Sequence, residues 1–440
     1  MLWKFALSSI AFLMMPIWAM ASLMVGISKE EITPPINSPS AGYARNTNMI
    51  GVHDPLWAMA LFIDNGEKQI VLCSVDHLGF NYEMVQRVIE EVHLEKSLSN
   101  CEIYIASSHT HSGGGGYLDI PELGEYLAGS YDPNLSELYV RQTAKAIIEA
   151  SKSLNPAKIG IGYGKAEDIS QYRGTWPVGA TPLSDVTVIK VTKMDDSPLA
   201  VLFNYSVHPT VLTGENLLFS ADFVGYARDY ISEENGQTIY FNGAQGDIIP
   251  YINSQEEQCS VISKTLSQIV QNIFTSLKEN GQATIDEAQE YIHCDALGKS
   301  LAETVQKILH SISTKESLHI KTDKHVYSFK PQPTPFGLTL PIEEYQSEIN
   351  LLVFDHVHAF VTIPGELSCF YDQRLKKLGE TLGYQQVSIF GLVNDAHGYM
   401  IPPKAFNTSS TEAHFSFGGE HYAELVEQKV SALLEANKAL

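Results

Sequence analysis

The chain has 440 residues, 44% hydrophobic and 18% charged, a balance that fills a sizeable core and excludes intrinsic disorder. Its 51 acidic side chains against 29 basic ones give a formal net charge of −22. Such a surface repels phosphate backbones and anionic headgroups, which argues against a nucleic-acid partner.

The N-terminus reads as a targeting segment. Lys4 supplies a positive start, Phe5 to Trp18 is apolar, and Ala19-Met20-Ala21 is a small-residue cleavage site before Ser22. The apolar run is short for a membrane span, so residues 1–21 are expected to be a signal peptide cut after Ala21, with a secreted or periplasmic product. The five cysteines, Cys73, Cys101, Cys259, Cys294 and Cys369, show no C-x-x-C spacing, and an odd count leaves at least one thiol free. Cys73 and Cys101 lie in apolar runs and read as buried small hydrophobes.

Along residues 22–440 short apolar β-rich runs alternate with helical stretches, with no repeat and no linker. Strands are expected at Trp57–Asp64, Gln69–Ser74, Glu102–Ala106, Ile159–Gly162, Val186–Lys193, Ala200–Val207, Thr238–Asn242, Leu318–Phe329, Ile349–Phe354, Ala359–Ile363 and Val387–Leu392. Val186–Lys193 alternates apolar with polar, the pattern of a half-buried strand. Helices are expected at Tyr82–Glu95, Leu135–Leu154, Asp222–Glu234, Gln255–Leu277, Thr284–His310, Leu367–Leu382 and Glu420–Asn437, with a break in Thr284–His310 near Cys294 to Gly298. Interleaved β and α elements predict one α/β domain built on a large mixed sheet flanked by helices. In Glu316–Glu344, Pro331, Pro333, Pro335 and Gly337 imply an irregular loop or hairpin, either a pocket rim or a plain surface loop.

Five strand ends carry ligand-type residues followed by Gly or Pro. The first is Ser107-Ser108-His109-Thr110-His111-Ser112 with four glycines after it; imidazole is a common zinc ligand and proton shuttle. The second is His208, held before Pro209. The third is Gly246-Asp247, where Asp247 either orients a histidine or ligates metal, or caps its own turn. In the fourth, Pro364-Gly365-Glu366, the carboxylate is expected at or beside a helix start, where it answers the helix dipole or binds metal. The fifth brings Asn394, Asp395, His397 and Tyr399. A His, His, Glu set with an open position is the arrangement of a catalytic zinc ion.

In order, these segments and their neighbours resemble the neutral/alkaline non-lysosomal ceramidase family, specifically its N-terminal catalytic domain. The likeness runs from Val25-Gly26-Ile27, Ile32-Thr33-Pro34-Pro35 and Gly42-Tyr43 through His53-Asp54-Pro55-Leu56 and Ser74-Val75-Asp76 to the His109-Thr110-His111 motif. It continues in His208-Pro209-Thr210, Ser220-Ala221-Asp222-Phe223, Gly246-Asp247, Pro364-Gly365-Glu366 and Asn394 to Tyr399. The resemblance implies a zinc-dependent amidase with one Zn2+ per chain, held by His109, His208, Glu366 and Tyr399. His111 would be the acid/base or oxyanion-contacting residue, Arg173 a substrate contact, and Asp247 and Tyr399 further catalytic groups. Two departures are visible. The hydroxyl residue that the family carries after the Gly-Asp turn is replaced by Ile248-Ile249-Pro250, and the family's C-terminal immunoglobulin-like domain is expected to be absent after Leu440.

The implied chemistry is hydrolysis of the N-acyl amide of a ceramide-like lipid by water activated on zinc, with no obligate protein partner. Transient contact with a membrane surface is open. Tyr117-Leu118, Trp176-Pro177-Val178 and Pro335-Phe336-Gly337-Leu338 are candidates to line an apolar groove, or are ordinary packing. Two rival readings are a zinc hydrolase of other amides or esters, such as N-acyl amino sugars or cell-wall fragments, and a secreted binding protein with structural zinc.

Overall fold

The computed structural model describes residues 23–174, 183–251 and 285–439. An eight-stranded mixed sheet runs in the spatial order Gln237–Asn242, Pro198–Tyr205, Asp185–Lys193, Asn155–Lys165, Met24–Glu31, Trp57–Asp64, Gln69–Val75 and Glu102–Ser107. A second, four-stranded sheet runs Ile320–Phe329, Tyr345–Phe354, His358–Ile363 and Gln386–Gly391. The expected α/β class with mixed sheets is therefore what the chain adopts, and the expected strands lie within or across observed ones. Met24–Glu31 lies outside the expected strands; only Val25 and Ile27 alternate as apolar residues before Lys29-Glu30-Glu31, too short a signal.

The first sheet curls until its two edges meet. Ser74 donates to the Tyr240 carbonyl at 2.6 Å, and Asn242 Nδ2 donates to the Ser108 carbonyl at 3.2 Å. The second sheet closes the seam: Ser107 N donates to the Leu392 carbonyl, and Ala106 bridges Val393. Between the two sheets a core forms from residues such as Leu61, Leu72, Ile189, Phe241, Phe360 and Phe390, all nearly fully buried. Helices Tyr82–His93 and Pro133–Lys152 cover one outer face, and Phe223–Asn235 with Ile285–Ser311 another. Gln69–Val75 is buried on both faces, and Ile70 to Cys73 accordingly read as a continuous apolar run.

Caps fix the helix starts. Asn81 accepts from Met84 N at 2.9 Å, and Asp132 accepts from Asn134 N at 2.8 Å with Pro133 in the first turn.

Two expectations fail for packing reasons. Ile285–Ser311 is one continuous helix with no break at Cys294 to Gly298. Gly298 lies against Phe223–Asn235, where a Cβ would come within 2.6 Å of the Tyr226 Cβ and 2.8 Å of the Phe223 carbonyl oxygen. The glycine thus permits close helix contact. Val186–Lys193 is also not half-buried: both faces are covered, with Thr187 bonded to Ser388 Oγ at 2.7 Å on one and Lys190 Nζ donating to the Leu309 carbonyl on the other. The expected helix Gln255–Leu277, Cys259, the signal segment 1–21 and Trp176-Pro177-Val178 lie outside the described residues. Cys73, Cys101, Cys294 and Cys369 are buried free thiols.

Candidate metal centre

Parallel pairing aligns the ends of the site-bearing strands. Glu102–Ser107 pairs parallel with Gln69–Val75, Gln237–Asn242 with Pro198–Tyr205, and Gln386–Gly391 with His358–Ile363. In open α/β sheets such carboxyl ends gather ligand sites. Here they bring His109, His111, His208, Glu366 and Tyr399 together. The ligand nitrogens of the three histidines lie within 4.8 Å of one another. Glu366 Oε2 stands 3.1 Å from His109 Nε2 and 3.0 Å from His208 Nε2.

Backbone carbonyls set the protonation of all three rings. His109 Nδ1 faces the Leu78 carbonyl at 2.6 Å, His111 Nδ1 the Gly42 carbonyl at 3.1 Å, and His208 Nδ1 the Gln245 carbonyl at 2.7 Å. A carbonyl only accepts, so each Nδ1 carries a proton, and the neutral tautomer this selects presents a bare Nε2 lone pair to the centre. His109 Nε2, His111 Nε2 and Glu366 Oε2 are buried with no hydrogen-bond partner. Burial, then the neighbouring His109 and His208, holds His111 well below the usual histidine range. Burial and then the Arg173 charge bring His208 down to about 4. Burial pushes the Glu366 carboxyl up, but His109 and His208 outweigh it and hold it well below the usual carboxylate range. Positive charge on the imidazoles is what holds Glu366 low, so with the rings neutral its Oε2 and their Nε2 lone pairs, 3.1 and 3.0 Å away, form a repulsive set that a divalent cation would satisfy. These donors fit zinc, which takes imidazole nitrogen and carboxylate oxygen.

The backbone is shaped to this end. His109 adopts φ 71°, the left-handed region, at a cost of about 1–2 kcal/mol. Its N–H donates to the His77 carbonyl at 3.0 Å, which with the ring bond to Leu78 holds it there. The neighbouring strand end, just past Gln69–Val75, is anchored by a buried bidentate pair, Arg228 to Asp76 at 2.7 and 2.8 Å.

Tyr399 and Arg173 complete the cluster. The Tyr399 hydroxyl lies 3.2 Å from His208 Nε2 and accepts from Arg173 Nη2 at 3.0 Å. Burial, then Glu366, raises the Tyr399 hydroxyl above the usual tyrosine value, so it keeps its proton at neutral pH. Arg173 Nε donates to Glu412 Oε1 at 2.6 Å, and Glu412 is buried. Burial disfavours the Arg173 charge, but Tyr399 and Glu412 more than offset that. Glu412 sits in the four-residue helix Thr411–His414, and no period or motif marks it in the sequence.

Other expected residues are placed differently. Glu366 is not at a helix start; the helix is Cys369–Thr381 with Ser368 as its cap, and Glu366 belongs to a short strand paired with Tyr399. Asp247 orients no histidine. Its carboxylate takes the Ser368 hydroxyl and the Cys369 N–H, the latter at 2.8 Å, so it anchors the loop after Glu366. Asn394 ties the sheets by bonding Ile105 N at 2.8 Å and the Ile103 carbonyl. Asp395 and His397 pair with each other at 2.8 Å, and His397 also bonds Tyr422.

His109, His111, Glu366 and Tyr399 line a cavity of about 160 Å3 with Leu78, Tyr117, Leu118, Leu127, Phe415 and Phe417. Tyr117, Leu118, Leu127, Asn81, Ala396 and Phe417 also line a groove of about 680 Å3 that carries on from it. Of the proposed groove residues, Tyr117-Leu118 are part of the lining. In the 331–344 loop that part falls to Leu340, Pro341 and Ile342 and not to Pro335 to Leu338.

The model of the family described as "Neutral/alkaline non-lysosomal ceramidase, N-terminal" matches residues 23–330. Neutral ceramidase A of Dictyostelium discoideum is 27% identical over 237 residues, 50% of this chain and 33% of that protein. Neutral ceramidase 2 of Arabidopsis thaliana is 24% identical over 242 residues, 49% of this chain and 30% of that protein. The matched segments thus span about a third of these relatives' length. The crystal structure of neutral ceramidase from Pseudomonas aeruginosa superposes with a TM-score of 0.76 at 14% identity, covering 94% of this chain and 75% of that one. That likeness is one of fold. Glu366 and Tyr399 lie beyond the matched family segment, and their place in the cluster rests on the geometry above.

Proposed function

Since the chain belongs to the neutral/alkaline non-lysosomal ceramidase family, we propose that it is a zinc-dependent amidohydrolase acting on the N-acyl bond of ceramide-like lipids. The observation that carries this reading is the convergence of His109, His111 and Glu366, each with an unpartnered buried ligand-type atom, at a cavity that continues into a largely apolar groove. His109, His208 and Glu366 would hold one zinc ion, with the Tyr399 hydroxyl beside them. When bound, the ion supplies Lewis-acid polarisation of the carbonyl and a nucleophile available near neutral pH.

The protein's own groups do the rest. Hydrolysis adds water to the amide carbon, breaks the C–N bond and must deliver a proton to the departing amine. His111 Nε2, bare and buried, is the base that takes the proton from water and returns it to nitrogen. Arg173 and the Tyr399 hydroxyl place a positive charge and a donor where the carbonyl oxygen gains charge. Ile248 is fully buried in the core and Ile249 pairs with Gln171, so that segment offers no hydroxyl. Water is accordingly the attacking group. Export after loss of residues 1–21 belongs to the same proposal and is read by N-terminal sequencing of the mature protein, which should begin at Ser22.

The test compares fluorescent N-acyl sphingosine with short-chain amides and esters, before and after chelation and zinc re-addition, alongside elemental analysis. Zinc-restored turnover of the long-chain amide supports the proposal. Faster turnover of amino-sugar amides or esters would favour another hydrolase, and a fully loaded but inert protein would favour a binding role.

A further inference from the structure

Four of the ten large apolar side chains most exposed among the described residues gather around the mouth of the groove: Tyr126 at 56%, Tyr131 at 42%, Phe336 at 46% and Ile342 at 43% exposed. Tyr131 and Ile342 line the groove itself. Tyr126 and Phe336 stand outside it on a continuous aromatic row. Tyr126 stacks on Phe415 with centroids 6.3 Å apart, and Phe336 lies flat on His414 at 3.3 Å. Scattered apolar side chains need no explanation, but a group rimming a cavity entrance marks an interaction surface.

Charge narrows the occupant. The two segments that make this rim, residues 117–131 and 331–346, carry Asp119, Glu122, Glu125, Glu343 and Glu344 and not one Lys or Arg. All five carboxylates are exposed. Such a rim repels anionic headgroups. It suits a surface whose outermost charge is a quaternary ammonium, which carboxylates attract and aromatic faces bind through cation–π contact. Tyrosine and phenylalanine side chains also partition favourably at the headgroup level of a bilayer.

We infer that the rim formed by Tyr126, Tyr131, Phe336 and Ile342 docks on a bilayer bearing choline headgroups, so that a lipid passes from the membrane into the groove without crossing water. The inference rests on the lipid-amide reading for its purpose, but its test does not, because binding is read without turnover.

The full chain is sedimented with vesicles of pure phosphatidylcholine and of phosphatidylglycerol at physiological ionic strength. Phosphatidylcholine vesicles should bind roughly tenfold more tightly. The double variant Tyr126→Ser, Phe336→Ser should lose that binding while keeping the parent circular dichroism spectrum and Tm. Glu122→Lys with Glu343→Lys should shift preference toward phosphatidylglycerol. Unchanged vesicle binding by the double variant, or a parent preference for phosphatidylglycerol, overturns the inference. So does a parent that sediments as a dimer, binds no vesicles, and becomes monomeric in the double variant, since the patch would then pair two copies. Binding to phosphatidylcholine without turnover of any N-acyl lipid would leave docking intact and remove the enzymatic reading instead.

Discussion

Glu366 and Tyr399 are register partners in a parallel pair only two residues long, Glu366–Leu367 against Tyr399–Met400. The pair locks the Pro364-Gly365-Glu366 turn to the segment after Gln386–Gly391, with Glu366 N donating to the Gly398 carbonyl at 3.0 Å. Both side chains consequently reach the histidine cluster from one small ladder. Removing the Tyr399 hydroxyl should therefore disturb metal binding as well as turnover. Tyr399→Phe is expected to weaken zinc affinity about tenfold and activity up to about a hundredfold. Competition against a chromophoric chelator measures the first; undiminished affinity would place the hydroxyl on substrate alone.

His109→Ala and His208→Ala each remove an imidazole from the centre. Zinc content should fall from near one per chain to a small fraction, and kcat/KM by roughly a thousandfold, the equivalent of about 4 kcal/mol. Elemental analysis beside steady-state kinetics decides. Zinc retained at full stoichiometry in either variant would disprove its ligand role.

Glu412 acts through Arg173 and touches none of the three histidines by hydrogen bond. Glu412→Gln keeps the shape but removes the counter-charge that fixes the guanidinium against Tyr399. A loss in kcat of roughly 10–100-fold with zinc content unchanged is expected. Glu412→Asp should recover part of it. If kcat stays at the parent value, the bonds from Arg173 Nη2 to the Gly246 carbonyl at 3.1 Å and to Tyr399 at 3.0 Å suffice to place the guanidinium.

Gly42 has φ +98°, and a Cβ there would fall 2.6 Å from the His111 Cγ. The Gly42 carbonyl also receives the His111 Nδ1 proton. Gly42→Ala combines backbone strain of about 1–2 kcal/mol with a push on the one histidine assigned to proton transfer. Turnover should drop while zinc remains bound, with a modest fall in Tm by calorimetry. Parent-like turnover would show that the ring has room to shift without chemical consequence.

His77 is fully buried among Phe80, Tyr117 and Tyr139, with Nε2 unpartnered, and burial brings its pKa down to about 3. Because the folded value lies below the unfolded 6.5, acid protonates the unfolded chain first. The stability this neutral ring contributes is complete above pH 6.5 and is lost as pH falls toward about 3. At pH 5 the loss amounts to about 2 kcal/mol. His77→Leu should be less sensitive to acid by that amount in urea unfolding compared at pH 7 and pH 5. Parallel pH profiles for both proteins would rule this out.

Much of the candidate site was legible because the donor residues that converge there sit where short-range rules apply. A strand followed by His-x-His and glycines, a strand ending in His-Pro and a strand ending in Pro-Gly-Glu each advertise a rigid, accessible end. Less legible were groups whose role depends on what meets them. Asp247 and Glu366 both follow glycines, yet one turns to Ser368 and Cys369 and the other to two imidazoles. Glu412 has no local signature at all. Gly298 looked like a helix break because composition cannot show that a second helix presses on it.

The order of residues by itself determined the alternation of strands and helices, the acidic surface and the chemical kinds of donor available, since these follow from periodicity, charge count and side-chain type. Only the tertiary structure decided which donors share one point. That depends on the curling of the eight-stranded sheet and the seam at Ala106 and Val393, which bring strand ends far apart in the chain to within bonding distance. Long-range hydrogen bonds and packing set those distances, and no local pattern encodes them.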